Sequence, residues 1–257
     1  MIRSLLVSLL VTNVCLAQTP ASSVRQLGLG TGLSLGAARY EGMSQLVQRG
    51  KAFPLQLYFL SQGHHNRHFV QLQTATYAGG LTSRYEESTT ELSTGHLQYA
   101  YHRCVGELKQ WFIWVGPVVN LQASLPSFAA RVGNTHYRNS SGPALLNSLS
   151  ISALVSRNAG QGRLEGQVWM HALGYNIRPN YAYAYTNVNS FSEWVSSGAI
   201  ETWPLFGQLN ARIAYDGYLS PHFRLRLDYQ WQYGRAKTPR YTGMLTNQFL
   251  TSLAYQF

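Results

Sequence analysis

Phe223-Arg-Leu-Arg-Leu-Asp-Tyr-Gln-Trp-Gln-Tyr233 is apolar or aromatic at every odd position and polar at every even one. A period of two puts alternate side chains on opposite faces of a pleated strand, so this stretch has one dry face and one wet face. Leu27-Gly-Leu-Gly-Thr-Gly-Leu-Ser-Leu35 repeats the scheme, with Leu at every odd position except Thr31. At the other end of the chain, Phe249, Leu253, Tyr255 and Phe257 share one face, opposite Gln248, Ser252, Ala254 and Gln256.

Seven further segments alternate, at about 52–61, 68–78, 96–103, 110–122, 144–156, 163–173 and 205–216. Trp111, Ile113, Val115, Val119 and Leu121 line one face of the fifth strand. On the seventh, Leu164, Val168, Met170 and Ala172 oppose Glu165, Gln167, Trp169 and His171. Several strands reach about 10–13 residues, longer than the usual 5–6 of soluble sheets and long enough for the 9–11 of a tilted membrane crossing. The links between them run long, short, long, short. Short links lie at about 62–66, 105–107, 158–162 and 217–221. Such a rhythm predicts an all-β, transmembrane antiparallel up-and-down β-barrel of about ten strands, with short turns and both termini on one side. The alternating Tyr181-Ala-Tyr-Ala-Tyr185 could add a hairpin and raise the count to twelve.

Composition agrees. Only 12% of the 257 residues are charged, and the mean hydropathy is −0.15. A lipocalin-like soluble barrel also alternates, but it needs a more highly charged exterior. Met1 to Ala17 reads as a signal peptide: Arg3, a mostly apolar stretch over Leu5–Val14, and Cys15-Leu16-Ala17 before cleavage. That leaves 18–257 as the barrel and Cys104 as the one cysteine of the mature chain. Beyond that segment no run approaches the roughly 18 apolar residues of a spanning helix.

With that leader, the alternation over roughly 25–257 and the terminal Tyr255-Gln256-Phe257, the chain resembles the small outer-membrane β-barrel proteins of the Bacteroidota. The resemblance implies a Gram-negative outer membrane and a Phe257 read by the barrel-insertion machinery. Aromatics near strand ends would form the lipid-interface girdles: Trp111, Tyr99, Tyr101, Trp231, Tyr233 and Tyr255, with Phe69 and Tyr77 beside them.

If odd residues of the last strands face lipid, Arg212, Asp216, Arg224, Arg226 and Asp228 face the lumen, joined by Glu165 and His171 from the seventh strand. The expected pairs are Arg224 or Arg226 with Asp228, and Arg212 with Glu165. Buried charges need such partners, and a filled, stiffened lumen is the plainer expectation. An anion-selective constriction is the functional one.

Catalytic signatures are sparse. Outer-membrane phospholipases and lipid A deacylases resemble one another in a His-x-Ser pair, which none of the eight histidines supplies. His171 with Ser152 is a conceivable substitute. Omptin proteases use carboxylates in outer loops, whereas Asp216 and Asp228 are the only aspartates here. His64, His65 and His68 lack the carboxylate or thiolate company of a metal site. We therefore expect no enzyme, no cofactor and no metal.

The net charge of +10 is not gathered into a nucleic-acid-binding motif. Anionic headgroups and lipopolysaccharide phosphates are the better match for Arg39, Arg49, Lys51, Arg84, Arg131, Arg138, Arg178, Arg235, Lys237 and Arg240, all in or beside outer loops. The expectation is an integral barrel of structural, surface-interaction or narrow-pore type. A lipid-modifying hydrolase, or an accessory subunit of a secretion or uptake complex, is the alternative.

Overall fold

The computed structural model describes residues 23–40, 47–77, 80–82, 88–132, 135–140, 144–177, 196–203, 205–237 and 241–257. The expected signal peptide and Tyr181–Tyr185 lie outside them. The chain begins with β1 (Val24–Tyr40), β2 (Gln48–Ala52), β3 (Leu55–Gln62), β4 (Asn66–Thr76) and β5 (Leu81–Thr82). It continues through β6 (Ser88–Leu108), β7 (Trp111–Val132), β8 (Thr135–Ser140), β9 (Ala144–Ala159) and β10 (Gly162–Ile177). The last elements are β11 (Ala199–Thr202), β12 (Phe206–Tyr218), β13 (Phe223–Ala236) and β14 (Thr242–Gln256).

Ten of these close into an antiparallel ring, β1-β3-β4-β6-β7-β9-β10-β12-β13-β14 and back to β1. The other four extend ring strands at the long-loop end. Between β2 and β3 the break is local: Ser34 pairs Ala52 and Thr31 pairs Leu55 in one register along β1. Pro54 interrupts it because it has no N–H for the ladder, and its carbonyl accepts from the Thr31 hydroxyl at 2.9 Å.

The alternation read in the sequence is the in-out alternation of the wall. On β10, Val168 is 52% and Met170 55% exposed, while Trp169 between them is 2% exposed. Leu27, Leu29, Leu57, Leu72, Leu149, Ile151, Ile213, Leu227, Phe249 and Leu253 extend this exposed apolar belt around the ring. Polar side chains fill the inside. An apolar exterior around a polar interior is the inverse of a soluble barrel and suits lipid. From Phe223 to Tyr233, at about 3.3 Å per residue and about 40° of tilt, the outward row of β13 climbs about 25 Å, the height of a membrane belt.

Two expected girdle residues are inside instead. Phe69 is buried because β4 carries its odd positions inward, in phase with Arg67, Gln71 and Gln73, and Tyr77, one residue beyond β4, keeps that phase through a bridge to Ala52. Tyr77 and Tyr58, whose ring neighbours Phe69, need room, and β1 supplies it. Its inward positions include Gly28 and Gly36, where an added Cβ would come within 2.3 Å of the Tyr58 ring and 2.6 Å of the Tyr77 ring. A register shift between His171 and Leu173 leaves both Ala172 and Leu173 outward, so the phase of β10 changes near its outer end.

Turns on one side are tight. Lys109 and Gly160 take positive φ angles of 59° and 58° at the first position of the two-residue links β6–β7 and β9–β10. Both described ends of the chain lie on this side, where the Phe257 N–H donates to the Arg25 carbonyl.

Candidate functional site

The turn-side half of the lumen is crossed by a ladder of ion pairs. Glu165, inward on β10, accepts from Arg67 Nη2 at 2.8 Å and from Arg226 Nη2 at 2.8 Å through one carboxylate oxygen. Arg163 Nε approaches its other oxygen at 3.3 Å. Asp228 continues the ladder, accepting from Arg226 Nε at 3.0 Å and from Arg212 Nε at 2.8 Å. Nearer the turns, Asp216 receives Gln26 Nε2 at 2.9 Å and pairs Arg224 Nη1 at 3.6 Å. Arg224 also donates to Gln256, and Arg163 to Gln62.

Each position follows from strand parity. Arg212, Arg224, Arg226 and Asp228 are the even, inward residues of β12 and β13, held in register by Arg212 opposite Gln230 and Ala214 opposite Asp228. Arg67 and Glu165 stand on β4 and β10, with three ring strands between them on one side and five on the other. Their bond therefore spans the lumen. Arg163 on β10 and Gln62 on β3 span it again. Aromatic faces support the guanidiniums: Arg212 lies 4.3 Å over Phe69, and Arg224 3.7 Å over Tyr218. All of these arginines except Arg163 are almost completely enclosed, with Arg226 at 0% exposure.

Toward the outer end the filling turns neutral. Gln73 Nε2 donates to Gln248 at 2.9 Å, the Ser148 hydroxyl to Gln208 at 3.0 Å, and Asn120 Nδ2 to Ser148 at 3.2 Å. Between ladder and amides sits His102, whose Nε2 is 3.0 Å from Ser152 Oγ, with Gln167 donating to the same hydroxyl at 3.0 Å.

The expected lumen residues are thus all inward, but they do not form one group. His171 is buried near the outer end, with its Nε2 3.3 Å from the Glu201 carbonyl and its ring edge-on to Phe206. It is separate from the ladder because it lies at the end of β10 remote from Glu165. Arg226–Asp228 forms as expected, whereas Arg212 goes to Asp228 rather than to Glu165, and Arg224 to Asp216. Ser152 takes His102 as its neighbour, since register places His171 opposite Ser150. Sequence reasoning missed Arg67, which falls between the short link at about 62–66 and the strand from about 68. The signal that could have found it is parity with Phe69 and Gln71.

Of the six expected girdle residues, Tyr99 and Tyr255 are exposed and Tyr101, Trp111, Trp231 and Tyr233 are half-buried. His68 Nδ1 is 3.0 Å from the Tyr99 hydroxyl, and the Tyr101 hydroxyl donates to Asn66 at 2.9 Å. Trp111 meets Arg157 at 5.7 Å, Trp231 stacks on Tyr233 at 6.3 Å, and Tyr255 on Phe257 at 6.3 Å. Cys104 packs in the lumen wall with Trp114 and Leu154. Among the described residues no group of three or more His, Cys, Asp or Glu is arranged to hold a metal.

Comparison with known proteins agrees at the level of the fold. No family model matches the sequence, and no curated protein matches it. Among solved structures, the outer membrane protease OmpT from Escherichia coli superposes with a TM-score of 0.53 at 11% identity, covering 95% of this chain and 100% of that one. The translocator domain of the autotransporter NalP from Neisseria meningitidis gives a TM-score of 0.47 at 8% identity over 92% of this chain and 90% of that one. The fold is that of a ten-stranded outer-membrane β-barrel.

Proposed function

We propose that this protein is an outer-membrane barrel with a closed lumen, acting at its outer end as a surface-interaction protein and not as an open pore. The observation that carries the reading is the Arg67–Glu165 bond across the lumen, backed by Arg163–Gln62 and by the amide layer above. Side chains at near-zero exposure that bond wall to wall support a closed lumen. Energy spent in stiffening the barrel supports a platform, and the strand extensions β5, β8 and β11 all rise on the long-loop side.

Anionic headgroups, including lipopolysaccharide phosphates, are the partners this rim favours. Arg39 on β1 and Arg235 on β13 both stand opposite Gly243 of β14, and Tyr241 lies between them, 5.6 Å beneath the Arg39 guanidinium. Arg49, Lys51 and Lys237 are exposed at the same end. The barrel-insertion machinery would read Phe257, and the Bacteroidota affinity is carried by the sequence alone. Planar-bilayer recording is the test. The purified barrel should stay silent across a range of salt concentrations, and stable ohmic steps would overturn the closed-lumen reading.

A hydrolase is the second reading, favoured by the His102–Ser152 contact and by the likeness in fold to a protease. Against it, His102 Nδ1 has no hydrogen-bond partner, so no carboxylate orients the ring as a general base requires. Both aspartates are committed to the ladder. Phospholipid turnover abolished by Ser152→Ala would establish this second reading.

A further inference from the structure

The ladder is not electrically balanced. Five guanidiniums (Arg67, Arg163, Arg212, Arg224 and Arg226) face three carboxylates (Glu165, Asp216 and Asp228), and five less three leaves two positive charges. A network serving only to fill the lumen has no use for a surplus, because uncompensated charge in a low-dielectric interior is strongly unfavourable. Glu201, the other buried carboxylate among the described residues, accepts from Asn176 at 2.7 Å near the outer end and so is remote from the ladder.

Donors are also left over at the centre of the ladder. Arg67 and Arg226 share Glu165, and Arg226 and Arg212 share Asp228, so these three guanidiniums form one chain. Each is at most 4% exposed, yet Arg67 Nε and Nη1, Arg212 Nη2 and Arg226 Nη1 have no hydrogen-bond partner. The His102 ring, 3.0 Å from the Ser152 hydroxyl, lies on the amide side of this chain. Beside that ring stands Gln167, directly opposite Arg212 in the β10–β12 register.

We propose that the lumen binds a small oxyanion of the phosphate or sulfate class, held by the spare N–H groups of Arg67, Arg212 and Arg226. The forked, planar guanidinium matches two oxygens of such an ion at once, which a spherical halide cannot exploit. Entry is from the turn side, where the Arg163 side chain is 17% exposed.

The test uses the full barrel in detergent micelles, titrated with sodium sulfate or sodium phosphate against sodium chloride at matched ionic strength. Sulfate and phosphate should raise the melting temperature saturably, by about 5–10 °C at a hundredfold excess over Kd, with little response to chloride. Arg212→Met should diminish the rise. Gln167→Glu would place a carboxylate opposite Arg212, where it competes with the ion for that guanidinium. It should melt above the wild type in chloride and lose the oxyanion response. A wild-type barrel without a saturable shift overturns the proposal, as does a Gln167→Glu barrel that keeps the full shift.

Discussion

A carboxylate that answers three guanidiniums cannot become an amide without leaving charge behind. Glu165→Gln keeps the volume and one acceptor but strips the counter-charge from Arg67, Arg226 and Arg163. We expect it to destabilise the barrel by about 3–5 kcal/mol, the range for breaking a buried pair on one side, measured by urea unfolding from lipid vesicles. Gln73→Leu, in the neutral layer, removes the bond it donates to Gln248 and the one it accepts from Gln71, and should cost about 1–3 kcal/mol. Equal losses at both positions would mean that the ladder is no more than filler. At this scale the sequence was legible for Arg226 and Asp228, two charges on one strand, but not for Arg163 and Glu165, which also share one. It was not legible for Arg67, because a residue beside a turn acquires its facing from the turn's length, and Gln62 to Asn66 reads equally well with either phase. Nor could it show that Arg212 prefers Asp228 to Glu165, which depends on the stagger between β10, β12 and β13.

Strands announced themselves through parity, and their exceptions show what parity omits. Phe69 and Tyr77 look like girdle residues because an aromatic ring suits both a lipid interface and a lumen, so hydrophobicity does not assign them a side. What does is the small inner face of β1, where Gly28 and Gly36 accept Tyr58 and Tyr77, a relation between non-adjacent positions that no single strand reveals. Outward residues should respond to depth. Val168→Arg, near mid-belt on β10, should cost about 2–4 kcal/mol, and Ile200→Arg on β11, beyond the belt, about 0–1 kcal/mol. Equal costs, read from unfolding in lipid vesicles, would remove the membrane from this account. The turns permit a finer test. Lys109 pays the strain of a positive φ that glycine adopts freely, so Lys109→Gly should stabilise the β6–β7 hairpin by up to about 1 kcal/mol. Gly160→Val, at the matching position of β9–β10, should destabilise by about 1–2 kcal/mol. A change of the same sign at both turns would contradict the conformations seen here.

Every ring neighbour but one is joined by a chain connection, and the exception is the seam where β1 meets β14, from Gln26–Gln256 to Tyr40–Thr242. Closing that seam puts both described ends on the turn side and leaves β5, β8 and β11 on the other, so the molecule has two chemically different poles. The tight pole holds His64, Lys109, Gly160 and Ser220, and the extended pole holds Ile200 and Trp203. Barrels that insert from the periplasm keep short turns behind them and push long loops outward. In intact cells, with Cys104→Ala as the background, an impermeant maleimide should label Ile200→Cys and spare His64→Cys. Permeabilising the outer membrane should then expose the second site. Labelling in the reverse order would invert the barrel, moving the basic rim of Arg39, Arg49 and Arg235 to the periplasmic face and removing the lipopolysaccharide phosphates from its reach. Labelling of both sites in intact cells would deny the membrane any sorting role. The ion-pair ladder would then have to be explained in a barrel standing in water, where its exposed belt of leucines has no physical justification.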